Sequence, residues 1–118
     1  MQFPKRDEAT TKFFEKVVPV GPAVKIHPMF GHKAAFVNGN MFAGTFGTQV
    51  VVRLDTAARE SVLKEEGAST FEPVKGRKMR EYVVLPDSWT KDSDRVRRLM
   101  AGSLRWASTL PPKAGRKS

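Results

Sequence analysis

Apolar and polar positions alternate along residues 30–53, and two glycine-bearing turns interrupt the alternation. Asn38-Gly39 stands between two apolar runs, which favours a type I′ hairpin because both central residues of that turn need positive φ. Gly47-Thr48 places glycine first, as a type II′ turn requires. This stretch therefore predicts a three-stranded antiparallel meander.

Two-residue turns also determine which side chains of the meander share a face. The predicted register places Phe36 opposite Met41 and Ala35 opposite Phe42. One face is then wholly apolar, as expected for the side of a sheet that packs on a core. This predicted core face carries Ala34, Phe36, Met41, Ala43, Val50, Val52 and Leu54.

The second face of the meander is half apolar, whereas a sheet face that meets only water is usually polar. Three explanations are open, in order of preference: self-association, coverage by the last helix, and base stacking on the aromatic rings. The leading hypothesis is a protein interface on this face. The candidate interface residues are Val37, Phe42, Phe46, Val51 and Arg53, with Gln49 beside them.

Three segments have the 3.6-residue apolar period of helices. They are predicted at residues 7–18, at residues 92–110 and from Asp55 or Thr56 to Gly67. Proline ends the first and last of these, and a side-chain oxygen caps the start of the second.

Further strands are predicted at residues 24–27, 71–74 and 79–85, with a turn at residues 75–78. The order is then helix, three or four strands, helix, two strands, helix. This order predicts an α+β two-layer sandwich, α-β(3-4)-α-β(2)-α, in which helices cover one face of an antiparallel sheet.

The length of 118 residues suits one domain, predicted at residues 1–110, followed by a flexible basic tail at 111–118. The net charge is +9, and most of the excess lies after residue 70. A field of this sign attracts polyanions or acidic protein surfaces, although it also serves solubility alone. The chain has no cysteine, no signal peptide pattern and no apolar run long enough for a membrane span, so a cytoplasmic protein without membrane contact is expected.

No residue pattern indicates catalysis, a cofactor or a metal. His27 and His32 are the only histidines, their spacing suits neither one strand face nor one helical turn, and both are expected at the surface or in loops. The sequence has no nucleophile elbow and no glycine-rich phosphate loop. A non-enzymatic protein is therefore predicted, with an unrecognised small-ligand or enzymatic role as the third hypothesis.

The predicted turn at residues 75–78 concentrates cations around a glycine. Backbone donors and guanidinium groups there suit a phosphate, a carboxylate or a partner protein. The plainer alternative is a solvated hairpin tip in which Arg77 pairs with Glu81. The residues of this candidate anion or partner site are Lys75, Arg77, Lys78, Arg80, Glu81 and Tyr82.

Direct nucleic-acid binding is the alternative to a protein partner. It would use the cations of the turn, the basic tail and the polar side of the last helix. The helix contributes Arg95, Arg98 and Arg105 as candidate nucleic-acid contacts.

Several short motifs together resemble the N-terminal domain of the TfoX/Sxy family of bacterial competence regulators. They are MFG at 29–31, NGNMF at 38–42, VVVRLD at 50–55 and GRKMREYVVLP at 76–86. The resemblance extends from about Phe13 to Pro112. It implies a secretion-chaperone-type α+β fold, no established catalytic activity and a regulatory role through binding. Regulators of the family carry a second helical domain that this sequence lacks.

Overall fold

The computed structural model describes residues 4–29 and 32–112 of the chain. This part forms a six-stranded sheet with three helices packed on one face, so the predicted α+β architecture and element order are confirmed. The elements are α1 (Glu8–Val17), β1 (Val24–Met29), β2 (His32–Val37), β3 (Asn40–Phe46), β4 (Gln49–Arg53), α2 (Thr56–Leu63), β5 (Ser69–Val74), β6 (Arg77–Val84), a 3-10 turn (Asp87–Lys91) and α3 (Ser93–Ala107).

The strand order across the sheet is β1-β2-β3-β4-β6-β5, and every neighbouring pair is antiparallel. Each edge strand contains a proline, Pro28 in β1 and Pro73 in β5. Proline has no N–H to donate, so both edges are poor templates for a further strand.

The two predicted turns of the meander have the expected backbone. Asn38 and Gly39 both have positive φ, 52° and 80°, and Gly47 has φ 63°. Asn38 is the only non-glycine residue with positive φ in the described part of the chain. The turn chemistry alone therefore located both hairpins.

The β5–β6 turn is shorter than predicted. Val74 pairs with Arg77, so only Lys75 and Gly76 lie between the strands. Gly76 has φ 85°, and its N–H donates to the Glu72 carboxylate at 2.6 Å. This bond holds the turn tight and lets β6 begin at Arg77, two residues earlier than the sequence pattern indicated.

Side-chain caps begin the helices. The Asp7 carboxylate accepts from the Thr10 backbone N–H at 2.9 Å and from the Thr10 hydroxyl at 2.7 Å, and these bonds lower the pKa of Asp7. Asp55 caps α2 by accepting from the Ala58 N–H at 2.9 Å. Each carboxylate satisfies a backbone donor that the first turn leaves free.

Helix α2 ends at Leu63, four residues before the predicted stop at Gly67. The N–H groups of Lys64 and Glu65 donate to carbonyls three residues back, at 3.3 and 2.9 Å. This tightening of the last turn is typical of a helix end.

A β-bulge in β3 changes the predicted faces of the meander. Ala35 pairs with Ala43 while Phe36 pairs with Met41, so Phe42 is an extra residue without a partner in β2. The predicted Phe36–Met41 pairing is right, and the predicted Ala35–Phe42 pairing is wrong. Because of this one inserted residue, the side chains that precede it in β3 and those of the paired strand β2 lie on the face opposite to the predicted one.

Two candidate interface residues are consequently misplaced by the sequence pattern. Val37 and Phe42, predicted on the second face, are buried in the core beneath the helices, 2% and 0% exposed. For Phe42, coverage by the last helix was the correct alternative. Ala34, Phe36 and Met41, predicted in the core, lie on the opposite face.

The core fills the space between the helices and the face of the sheet that we call the inner face. The opposite side is the outer face. Side chains from all three helices, the 3-10 turn and five strands make this inner core. Its buried members are Phe14, Val17, Val18, Ala35, Val37, Phe42, Ala43, Val50, Val52, Leu54, Val62, Val83, Leu85, Trp89, Val96, Met100 and Ala107.

Ser103 of α3 stabilises the bulge. The β3–β4 ladder ends at the Ala43–Val52 pair. Beyond it, the Ser103 hydroxyl oxygen lies 3.1 Å from the Phe42 carbonyl oxygen and 2.5 Å from that of Arg53. A buried hydroxyl thus bridges two strand carbonyls where the ladder opens, and it anchors α3 to the sheet.

The C-terminal segment is attached to the sheet at its start. Asn40, which is buried, donates its side-chain N–H to the Pro111 carbonyl at 3.1 Å. The rest of the predicted tail, residues 113–118, lies outside the described residues. Among the helices of the described part, none is long and apolar enough to cross a membrane.

Candidate binding site on the outer face of the sheet

The β5–β6 hairpin covers part of the outer face. Phe71 of β5 packs with Val51 and Val84 in a second buried cluster, and Phe46 and Tyr82 lie against it. The Phe46 and Phe71 rings meet edge to face, with centroids 5.2 Å apart. Val51 is only 1% exposed, so this member of the candidate interface is covered by the chain itself.

An apolar cavity remains between the hairpin and strands β2 and β3. Its volume is about 260 Å³. We call it the outer cavity, and its lining residues are His32, Lys33, Ala34, Met41, Thr45, Phe46, Phe71, Pro73, Val74 and Met79. Seven of these ten residues are apolar, so the cavity suits an apolar group better than water.

Within the described residues, His32 differs from the other two polar residues of this lining, Lys33 and Thr45, because it has no hydrogen-bond partner. It is 4% exposed, and neither ring nitrogen has a hydrogen-bond partner within the described residues. Its ring lies against that of Phe46, with centroids 5.3 Å apart and planes tilted by 32°. A buried imidazole without partners costs roughly 1–3 kcal/mol of stability.

The expectation that both histidines lie at the surface is wrong for His32 and right for His27. The two residues are on neighbouring strands, where His27 pairs with Ala34, and they share the outer face. His27 is exposed and its ring lies against that of Phe36, with centroids 5.5 Å apart and planes tilted by 55°. Across residues 4–29 and 32–112, no group of three His, Asp or Glu side chains is placed to hold a metal ion.

Arg53 is the centre of a polar cluster at the end of β4. Its guanidinium group contacts the Glu81 carboxylate at 2.7 Å, and its Nε donates to the same oxygen at 2.8 Å. It also lies 5.6 Å from the centroid of the Tyr82 ring and 5.5 Å from that of Trp106. Glu81 therefore pairs with Arg53 and not with Arg77.

Tyr82 connects this cluster to the meander. Its hydroxyl donates to the Met41 carbonyl at 3.2 Å, which joins β6 to β3 across β4 and shows how strongly the sheet curls here. Burial raises the pKa of Tyr82, and the neighbouring Arg53 charge offsets part of that rise.

The four cations of the predicted anion or partner site lie exposed on the β5–β6 hairpin. None has an ion-pair partner among the residues that the structure describes. The two other predicted members, Glu81 and Tyr82, are held by Arg53. We call Lys75, Arg77, Lys78 and Arg80 the cationic hairpin.

The candidate nucleic-acid contacts of α3 divide into two kinds. Arg95 stacks on Trp89, 3.8 Å from the ring centroid, and approaches Glu65 at 3.5 Å. Arg98 and Arg105 have no ion pair within the described residues, and both line a groove of about 420 Å³ between α2 and α3. Only this second pair keeps its charge available for a ligand.

The family model of the TfoX N-terminal domain matches residues 15–107, most of the chain. The chain belongs to the TfoX N-terminal domain family. A search of curated proteins finds no match. The matched region of this TfoX N-terminal domain includes all six strands, the outer cavity and the cationic hairpin.

Sequence reasoning missed four site residues of this TfoX N-terminal domain, namely His32, Phe71, Met79 and Trp106. The spacing of the two histidines suggested a surface or loop position for His32, whereas the residue lies in β2 and lines the cavity under the β5–β6 hairpin. Phe71 and Met79 pair across β5 and β6, and their place over the outer face depends on how the hairpin curls. No local pattern reports that curl.

Proposed function

We propose that this TfoX N-terminal domain is a non-enzymatic, cytoplasmic regulatory module that binds an acidic partner protein through the outer face of its sheet. The observation that supports this most is the cationic hairpin, whose four exposed cations have no acidic partner within the described residues. The hairpin also carries Met79, 38% exposed, at the border of the outer cavity. Cations beside exposed apolar surface suit a protein segment that mixes acidic and apolar side chains.

A protein partner fits this face better than stacked bases do. Base stacking needs exposed aromatic rings. In the described part of the chain no Phe, Tyr or Trp side chain is exposed, and the rings of Phe46 and Phe71 pack against each other. The one exposed aromatic ring there, that of His27, lies against Phe36. Phe42, which sequence analysis offered as a third ring, lies in the inner core.

A second copy of the chain is a less suitable partner than an acidic protein. Two copies that met through this same surface would bring their cationic hairpins together, and like charges at an interface cost affinity. Light scattering separates the two cases, since a monomer at high concentration favours a partner of different sequence.

The test compares co-purification by two charge-reversed variants from nuclease-treated extract of the source cell. In one, Arg77→Glu and Arg80→Glu reverse charge on the hairpin. The control reverses two exposed cations away from the hairpin, Lys12→Glu in α1 and Lys64→Glu at the C-cap of α2. We expect a co-purifying protein that the hairpin variant loses and the control retains, and purified components should reproduce the loss as weaker binding.

Equal co-purification by both variants would remove the hairpin from the interface. A complex that disappears on nuclease treatment would replace the protein partner by nucleic acid.

Nucleic-acid binding is the second candidate, and Arg98 and Arg105 favour it. They lie two helical turns apart on α3, and their charges are unpaired in the described part. If they contact phosphates, affinity for duplex DNA or RNA falls as the salt concentration rises. The double variant Arg98→Ala with Arg105→Ala then lowers the slope of log affinity against log salt concentration by about two. The control is Arg97→Ala, because Arg97 already pairs with Asp94 at 3.1 Å. If neither DNA nor RNA shows a mobility shift with the protein at low salt, this candidate is excluded.

A further inference from the structure

The outer cavity combines two features that point to a ligand. Its walls are mostly apolar and partly enclosed by the β5–β6 hairpin, with Phe46 and Phe71 on one side and Met79 at the border. Its one imidazole, that of His32, is buried with no hydrogen-bond partner within the described residues. Such a group is destabilising unless something binds it.

Water is a poor candidate for that partner. A buried water molecule needs two to four polar contacts. Of the two other polar residues that line the cavity, Thr45 accepts from the Lys33 N–H at 3.2 Å and still has its own O–H to donate. The Lys33 ammonium group lies 3.2 Å from the Glu15 carboxylate of α1, and α1 packs on the inner face. The imidazole and the Thr45 hydroxyl would be the two side-chain contacts for such a water, which is the minimum that it needs.

The size and charge of the cavity define the ligand. A cavity of about 150 Å³ holds benzene, so about 260 Å³ suits roughly eight to eleven non-hydrogen atoms. Aromatic walls favour a flat ring, and the absence of a free cation among the described lining residues disfavours a carboxylate. Imidazole both donates and accepts hydrogen bonds, so a hydroxyl or an N–H group can pair with it.

We propose that the outer cavity binds a compact, neutral aromatic molecule carrying one hydroxyl or N–H group, and that His32 is its hydrogen-bond partner. The ring of the ligand packs among Phe46, Phe71 and Met79, and its polar group meets an imidazole nitrogen. This site goes beyond the proposed partner-binding function and does not depend on it.

The test uses the full chain without a partner and two probes that differ by one hydroxyl, p-ethylphenol and ethylbenzene. Ligand-observed NMR measures binding, and the imidazole nitrogen chemical shifts report on the two histidines. We expect p-ethylphenol to bind with a Kd of ~0.1–1 mM and ethylbenzene about tenfold more weakly, the difference that one hydrogen bond makes. The nitrogen shifts of His32 should move and those of His27 should not.

Two variants locate the hydrogen bond. In His32→Leu the preference for p-ethylphenol over ethylbenzene should disappear. His27→Leu is the matched control, because His27 is exposed on the neighbouring strand and does not line the cavity. It should leave the preference unchanged.

A third variant tests the cavity independently of the histidine. Met79→Trp places a larger side chain at the border, where the residue is 38% exposed and a folded protein is expected. It should reduce binding of both probes by tenfold or more. The proposal is overturned if p-ethylphenol does not bind, if both probes bind equally, or if Met79→Trp changes neither. Because no partner protein is involved, each of these results leaves the proposed function intact.

Discussion

The two faces of the sheet are covered in different ways. Three helices seal the inner face, and its buried polar side chains have partners, such as Ser103 on two carbonyls and Asn40 on the Pro111 carbonyl. The outer face is covered by a hairpin of the sheet itself, which leaves a cavity and a buried His32 with no hydrogen-bond partner in the described part of the chain.

This difference is the reason why we assign stability to the inner face and propose binding for the outer face. Dense packing and satisfied polar groups maximise stability. Cavities, unpaired buried groups and unpaired exposed cations lower it, and proteins keep such features mainly at functional sites. We therefore expect substitutions on the two faces to change the free energy of unfolding by different amounts, and in some cases in opposite directions.

The largest effect should come from the phenylalanines of β3. Phe42→Ala removes a fully buried ring from the inner core, so it should lower the free energy of unfolding by about 3–5 kcal/mol. Phe46→Ala removes a half-buried ring beside an existing cavity, and roughly 1–2 kcal/mol is expected. Urea denaturation of both variants measures the difference. Equal losses would mean that the two faces are packed alike.

The next largest effect is expected at the bulge of β3, where the regular alternation of side chains between the two faces is interrupted. Ser103→Ala leaves the carbonyls of Phe42 and Arg53 without the hydroxyl, which should cost about 1–3 kcal/mol. Ser108→Ala on the same helix is the control, since Ser108 is exposed and should change stability by less than about 0.5 kcal/mol. A Ser103 variant as stable as the control would show that the bulge does not need this hydroxyl.

A smaller effect, of opposite sign, is expected at His32. His32→Leu replaces an unpartnered buried imidazole by an apolar side chain, so the free energy of unfolding should rise by about 1 kcal/mol. Asn40→Ala provides the contrast on the satisfied face, because it breaks the bond to Pro111 and should lower stability by about 1 kcal/mol. Thermal unfolding of both variants tests the signs, and destabilisation by His32→Leu would contradict this interpretation of the outer face.

The smallest effect concerns pH. Burial raises the pKa of Tyr82 above 10.0, so the neutral phenol is favoured in the folded state. The stability that this provides is fully present below pH 10.0 and is lost as pH rises through the higher folded pKa. Tyr82 is the only tyrosine of the sequence, so phenolate absorbance reports on it alone.

Arg53→Gln tests the surroundings of Tyr82. Removing the cation should raise the pKa of Tyr82 further, because the Arg53 charge lowers it. A wild-type titration midpoint at or below 10.0 would indicate an outer face open to water at this point.

Much of the fold follows from local chemistry. Turn residues located the hairpins at Asn38-Gly39 and Gly47-Thr48, and the capping carboxylate of Asp55 located the start of α2. Of the candidate site residues, the cations on the hairpin and on α3 were identified as candidates from the sequence, because charged side chains are expected at the protein surface. Their pairing was not, since Glu81 contacts Arg53 at 2.7 Å from another strand.

The sequence by itself determined the order of helices and strands, the turns that join them and the family, because each depends on residues close together in the chain. Only the tertiary structure decided which side chains face the helices. The bulge at Phe42 reverses β2 without changing any local pattern, and Ser103, sixty-one positions away, closes it. The burial of His32 has the same origin, since the hairpin that covers it begins more than thirty residues later in the chain. Contacts between distant segments therefore created the outer cavity.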